Sequence, residues 1–112
     1  MTLEEFEKVM ISAIKSLPAP LKEKLQNVAI LIEDKKKPRD LLGLYEGTPL
    51  TERHEDEPWA YPDRINLYKR NLEEMCGGDL KKLRLEIRRT VAHEIAHYFG
   101  LSDERLEELG LD

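Results

Sequence analysis

Three side chains near the C-terminal end of the chain have the chemistry and spacing to hold a metal ion: His93, His97 and Asp103, with Glu94 beside them. They form an HExxH motif extended to HExxHxxGxxD, running from His93 to Asp103. On a helix, residues four apart share a face, so His93 and His97 can aim two imidazole nitrogens at one ion. Glu94 lies about 100° round the helix from His93. That sets its carboxylate beside the ion, where it can hold a metal-bound water and take its proton. A catalytic zinc usually takes three protein ligands and keeps one position for water, which makes Asp103 the candidate third ligand. Gly100 supplies the route, because glycine readily takes the left-handed conformation that ends a helix and turns the chain back.

These residue types at these offsets arise by chance in a chain this short roughly once in 10⁵, from average residue usage. HExxH alone is far weaker. The plainer alternative is a helix with two surface histidines, followed by an Asp that opens the next helix. Asp beside Ser102 at a helix start is ordinary capping chemistry, so cap and ligand both stay open for Asp103, with ligand the favoured reading. Between Val91 and Phe99 the residues outside the motif are Val, Ala, Ile, Ala, Tyr and Phe. A helix apolar nearly all round is a buried one, and two histidines and a glutamate on its polar strip need partners there.

The elements that must position this motif can be read from periodicity and punctuation. Thr2-Leu3-Glu4-Glu5 is a capping box, followed by Leu3, Phe6, Met10, Ala13, Ile14 and Leu17 at helical spacing up to Pro18. Pro20 opens a short second helix to about Gln26. Val28 to Ile32 reads as a buried strand, and Leu41 to Glu46 as a second, with Gly43 marking a bulge or a close backbone approach. Arg64-Ile65-Asn66-Leu67-Tyr68 alternates polar and apolar, as a half-buried third strand does. Lys69 to Cys76 is helical and stopped by Gly77-Gly78. Asp79 then caps the long helix that carries the motif, with Leu80, Leu83, Ile87 and Val91 down one side and Arg84 and Arg88 as solvated charges on another. Ser102 or Asp103 starts a last helix to about Leu109. The expected fold class is therefore α+β: a single domain over 1–112, with a sheet of about three strands packed on helices.

The long connection from Gly47 to Asp63 carries Trp59, Tyr61 and the third histidine, His54. Long connections are often functional, so it is expected to border the cleft, with His54 as a solvated or hydrogen-bonded histidine. The lysines at 35–37 are flanked by acids and read as a surface turn.

Composition narrows the function classes. The chain has 112 residues and a net charge of −5, which suits one domain and does not suit a nucleic-acid binder, since phosphate binding leans on positive charge. Cys76 is the one cysteine, so no intramolecular disulfide forms, as expected in a reducing compartment, and the thiol reads as buried rather than nucleophilic. The N-terminus has no basic start or apolar run of the signal-peptide kind, and no stretch approaches a membrane span. A cytoplasmic location without membrane attachment is the expectation.

The stretch from His93 to Asp103 resembles the zincin metallopeptidases, and its long form looks like the metzincin version with Asp in place of the third His. Metzincins place a methionine turn downstream of the motif, whereas Met1, Met10 and Met75 all precede it here. The chain is more similar to the small bacterial zincin-like proteins, also labelled "possible metallopeptidase". The likeness runs over Leu42 to Arg53, Arg64 to Tyr68, Arg88 to Val91 and on to Asp103. It implies a compact fold with a small sheet beside the active-site helix, His93, His97 and Asp103 as zinc ligands, and Glu94 as base.

The leading expectation is a zinc-dependent peptidase with one Zn²⁺ per chain and a peptide or protein substrate. A strand bordering the cleft, Arg64, Ile65, Asn66, Leu67 and Tyr68, is the candidate to pair with an extended substrate by strand addition. The alternative is a metal-stabilised protein-binding module with little or no catalysis. A metal-dependent ribonuclease ranks lower because the chain is acidic and lacks a basic-aromatic stripe.

Overall fold

Thr2 starts α1 (Leu3–Lys15) as its sequence requires: its hydroxyl oxygen accepts the Glu5 N–H at 3.1 Å. Phe6, Met10 and Ala13 form the buried side of that helix, and Pro18 ends the segment. The computed structural model describes residues 1–25, 27–37, 41–47 and 63–108. The second helix, α2 (Ala19–Glu23), is shorter than its sequence suggests and ends before Lys24; Gln26 lies outside the described residues.

Three strands follow: β1 (Val28–Glu33), β2 (Gly43–Glu46) and β3 (Asp63–Tyr68). Their order is β1-β3-β2, with β1 parallel and β2 antiparallel to β3. The third strand is thus the central one. Ile65 and Leu67 are fully buried on one face, while Arg64 is exposed and Asn66 intermediate on the other, as the alternation suggests; Tyr68 at the strand end is nearly buried as well. The first strand is an edge and only one of its faces meets the core. Leu31 is 46% exposed, so the expectation of a fully buried strand is corrected: a run of branched apolar residues did not distinguish a two-sided strand from a one-sided edge.

Register explains which side chains face the helices. Ile30, Ile65 and Tyr45 stand in one row across the sheet, and Ile32, Leu67 and Gly43 in the next. Successive strand residues point to opposite faces, so Leu31, Asn66 and Leu44 lie on the far side. Two more helices complete the described chain before the final turn: α3 (Lys69–Cys76), ended by Gly77 at φ 57°, and α4 (Leu80–Tyr98). Asp79 caps α4 by accepting the Lys82 N–H at 3.1 Å.

Helix α4 packs against α1, α3, β2 and β3. Leu83, Ile87, Val91 and Ile95 fill the space between it and Phe6, Met10 and Leu72. Leu80, expected on that same side, is 46% exposed; it sits at the first residue of the helix, beyond the reach of the core. Each large apolar side chain buried in this layer contributes about 1.5–3 kcal/mol.

One buried amide holds the sheet edge in place. The Asn71 side chain accepts the Lys37 N–H at 3.0 Å and donates to the Lys37 and Leu41 carbonyls at 3.0 and 2.8 Å. It therefore grips both described ends of the connection between β1 and β2. The Leu42 carbonyl accepts the Tyr68 N–H at 3.0 Å, which carries the β2 pairing one residue further than the strand itself.

Candidate metal centre

The site is built at the C-terminal end of α4 by a reversal of the chain. Gly100, at φ 87°, donates its N–H to the His97 carbonyl at 2.9 Å, and Leu101 donates to the Ala96 carbonyl at 3.0 Å. This pair of bonds is the Schellman arrangement that closes a helix. Ser102 then accepts the Arg105 N–H at 3.1 Å and so caps α5 (Asp103–Glu108). Because Ser102 caps, the Asp103 carboxylate is left for the histidines.

The convergence is close. Asp103 Oδ1 lies 3.0 Å from His93 Nε2 and 2.9 Å from His97 Nε2. The two rings stand edge to face, 4.5 Å apart. The hydrogen bond with His97 holds the Asp103 carboxyl below its usual value; burial opposes it, and the nearby imidazoles of both histidines add to the lowering. An oxygen this near two ring nitrogens needs positive charge between them, from two N–H protons or from a cation. Donors bound about 2.0–2.2 Å from one zinc ion at tetrahedral angles stand about 3.3–3.6 Å apart, a few tenths of an ångström wider than the two spacings here. Two imidazoles and a carboxylate are also a catalytic zinc donor set that leaves a position open. The residues fit the ion.

Glu94 is a rival for the third ligand, since donor atoms of His93, Glu94 and His97 all lie within 4.8 Å of one another. Its carboxylate, however, is nearest His97 Nδ1, at 3.4 Å, the ring nitrogen that faces away from Asp103. Glu94 is 6% exposed and sits behind the convergence, whereas Asp103 completes it.

The wall opposite Glu94 is β2. A Cβ placed on Gly43 would come within 2.7 Å of Thr90 Cγ2 and 3.3 Å of Glu94 Cγ. Only a glycine lets the strand lie this close to the helix, so the close-approach reading of Gly43 holds. A cleft of about 470 Å³ opens there, lined by Gly43, Leu44, Tyr45, Glu94, His97 and Leu101 among others. Tyr98 fixes the end of α4 by donating its hydroxyl to the Lys24 carbonyl at 2.9 Å, and its ring meets Tyr45 edge-on at 5.9 Å.

The structure brings His93, Glu94, His97 and Asp103 together and leaves the proposed cleft strand out. Arg64, Ile65, Asn66, Leu67 and Tyr68 belong to β3, whose two edges are taken by β1 and β2. Its backbone has no free edge for a substrate, so strand addition there is excluded. The strand at the cleft is β2, and the sequence signal for it was Gly43, an otherwise costly residue within a strand. His54, Trp59, Tyr61 and the expectation that their loop borders the cleft lie outside the described residues.

A family model described as a zincin-like metallopeptidase matches residues 25–111. The chain belongs to that family. The match takes in the sheet, α3, α4 and the turn to Asp103, so it spans His93 to Asp103 and leaves out α1 and α2. No curated protein matches the chain. No helix among the described residues is long and apolar enough to cross a membrane.

Proposed function

We propose that this zincin-like protein hydrolyses peptide bonds with one zinc ion held by His93, His97 and Asp103 and with Glu94 as general base. The supporting observation is the meeting of His93 Nε2 and His97 Nε2 on one Asp103 oxygen at 3.0 and 2.9 Å, with the Glu94 carboxylate alongside. Zinc, when bound, supplies Lewis acidity that polarises a carbonyl and acidifies water. Glu94 takes a proton from the attacking water and passes it to the leaving amine nitrogen. Its burial in the wall between α4 and Gly43 fixes the direction from which it acts.

The substrate segment lies along β2, the outer strand of the described sheet on the cleft side. Leu42 points its backbone carbonyl at β3. In an antiparallel pair the bonding direction alternates, so Gly43 turns its N–H and C=O outward to the cleft. An extended peptide pairing there crosses in front of Glu94 and the two histidines.

A chelator-sensitive digestion of a peptide library tests this reading, with Glu94→Gln as the decisive variant. The variant is expected to keep a full complement of zinc and to lose cleavage by at least about a hundredfold, the size of a general-base contribution. Cleavage equal to wild type removes Glu94 from the mechanism. A second reading is supported by the same convergence: the ion cross-links α4 to α5 and serves only to stabilise a protein-binding module. A thermal midpoint that falls on chelation, with no peptide in the library cleaved, favours that module.

A further inference from the structure

The N-terminal half of α4 carries a surface that the site does not use. Lys81, Arg84, Leu85 and Arg88 fall on one face by helical spacing, with Lys82 at its flank, and all are exposed. They line a groove of about 530 Å³ together with Asp79. The Asp79 carboxylate is engaged in capping the helix. Among the described residues, no carboxylate lies within 4.0 Å of Lys81, Lys82, Arg84 or Arg88, whereas the neighbouring Arg89 is paired with Glu86 at 3.2 Å. Leu85 is 49% exposed in the middle of these cations, and Leu80 is 46% exposed at one end. In a chain of net charge −5, this is a local reversal of sign around an apolar centre.

We propose that this face of α4 docks a short acidic peptide segment that also carries leucine-like side chains, supplied by another protein. Charge complementarity selects the acids, and Leu85 selects the apolar side chain. Size decides against a second copy of the chain. Lys81 to Arg88 spans only about 10 Å of helix, while a stable protein interface covers about 800 Å² on each partner. The leucines decide against nucleic acid, which binds through phosphate contacts and base stacking on aromatic rings; the groove has no aromatic lining. The face lies about 150° round the helix from the His93–His97 side, so a segment seated there leaves the cleft open.

The test is binding, measured with no need for cleavage, so its failure is separate from failure of the peptidase reading. Fluorescence anisotropy of the 112-residue chain is read with a labelled peptide of Glu, Asp and two Leu, with the same peptide carrying Ser for Leu, and with a polyuridylate oligonucleotide. The leucine peptide is expected to bind best, to weaken with added salt, and to bind equally well in chelator. Arg84→Glu with Arg88→Glu is expected to weaken it about tenfold, the combined size of two exposed charge pairs reversed, with the circular dichroism of the fold unchanged. Leu85→Ser is expected to weaken it about fivefold by loss of apolar contact, and amide shifts on peptide addition are expected to cluster at residues 81–88. Absence of peptide binding, equal binding of the serine peptide, indifference to the double reversal, or tighter binding of the oligonucleotide each overturns the proposal.

Discussion

The two halves of α4 are one continuous helix with opposite characters. From Leu80 to Arg89, only Leu83 and Ile87 are buried and the lysines and arginines stand in solvent. From Thr90 to Tyr98, five of the nine residues are buried, including Glu94. The cause lies in what covers the helix. The distal half is closed over by β2 at Gly43 and tied down through Tyr98, and there polar groups are held in set directions. The proximal half meets the core on the side of Leu83 and Ile87 and water on the other. Enclosure, more than residue type, separates the histidines that converge from the arginines that do not.

The largest effect expected falls on the enclosed half. His97→Ala removes a ligand and is expected to lower zinc affinity by more than about a hundredfold, beyond the loss seen when only a supporting contact is removed. Metal content of the purified protein reads it, and an unchanged stoichiometry would mean that the convergence on Asp103 is not a metal site. Burial is tested within the exposed half. Ile87→Ala is expected to cost about 2–5 kcal/mol by urea denaturation, while Arg84→Ala three residues earlier costs less than about 0.5 kcal/mol. Equal costs would dissolve the contrast.

Gly43→Ala probes the covering strand itself. Its Cβ meets Thr90 and Glu94, and overpacking of this kind costs about 1–3 kcal/mol. The expected signature is cleavage reduced with zinc content retained, because the added Cβ meets Thr90 and Glu94 and none of the proposed ligands. The smallest effect expected is a pH dependence from Cys76, which α3 presents near the exposed half. Burial, aided by the charge of Glu86, pushes its thiol up. A raised folded-state value means the stabilisation is fully present below the unfolded thiol value, about 8.5, and fades as pH rises through the folded one. Urea midpoints from pH 7 to 10 are therefore expected to fall less in Cys76→Ala than in wild type.

Much of this contrast was legible in the sequence where the determinants are local. The Thr2 and Asp79 caps, the Gly77 and Gly100 stops and the four motif residues all act on neighbours within a few positions, and the structure places them accordingly. The strand segments were found but not their order. Alternation along Arg64 to Tyr68 is the same whether one edge is paired or both, so nothing in those residues says that β3 is central. Leu31 is exposed for the reverse reason: a run of branched residues does not record whether a second layer covers it. Whether Ser102 or Asp103 caps the last helix is open in the sequence, because both residue types do so, and in the structure the Ser102 hydroxyl takes that role.

The Schellman turn at Gly100 has a consequence for how the protein comes to life. All three proposed donors fall between His93 and Asp103, so an ion held there would close only a short loop and ask little of the rest of the chain. Glu94, by contrast, owes its setting to Gly43, which is remote in sequence. Under the proposed function, capture of the ion would be a local event open to a partly folded chain, whereas reactivity would wait for the sheet to assemble. A nascent or damaged molecule could then be loaded with metal and still be harmless.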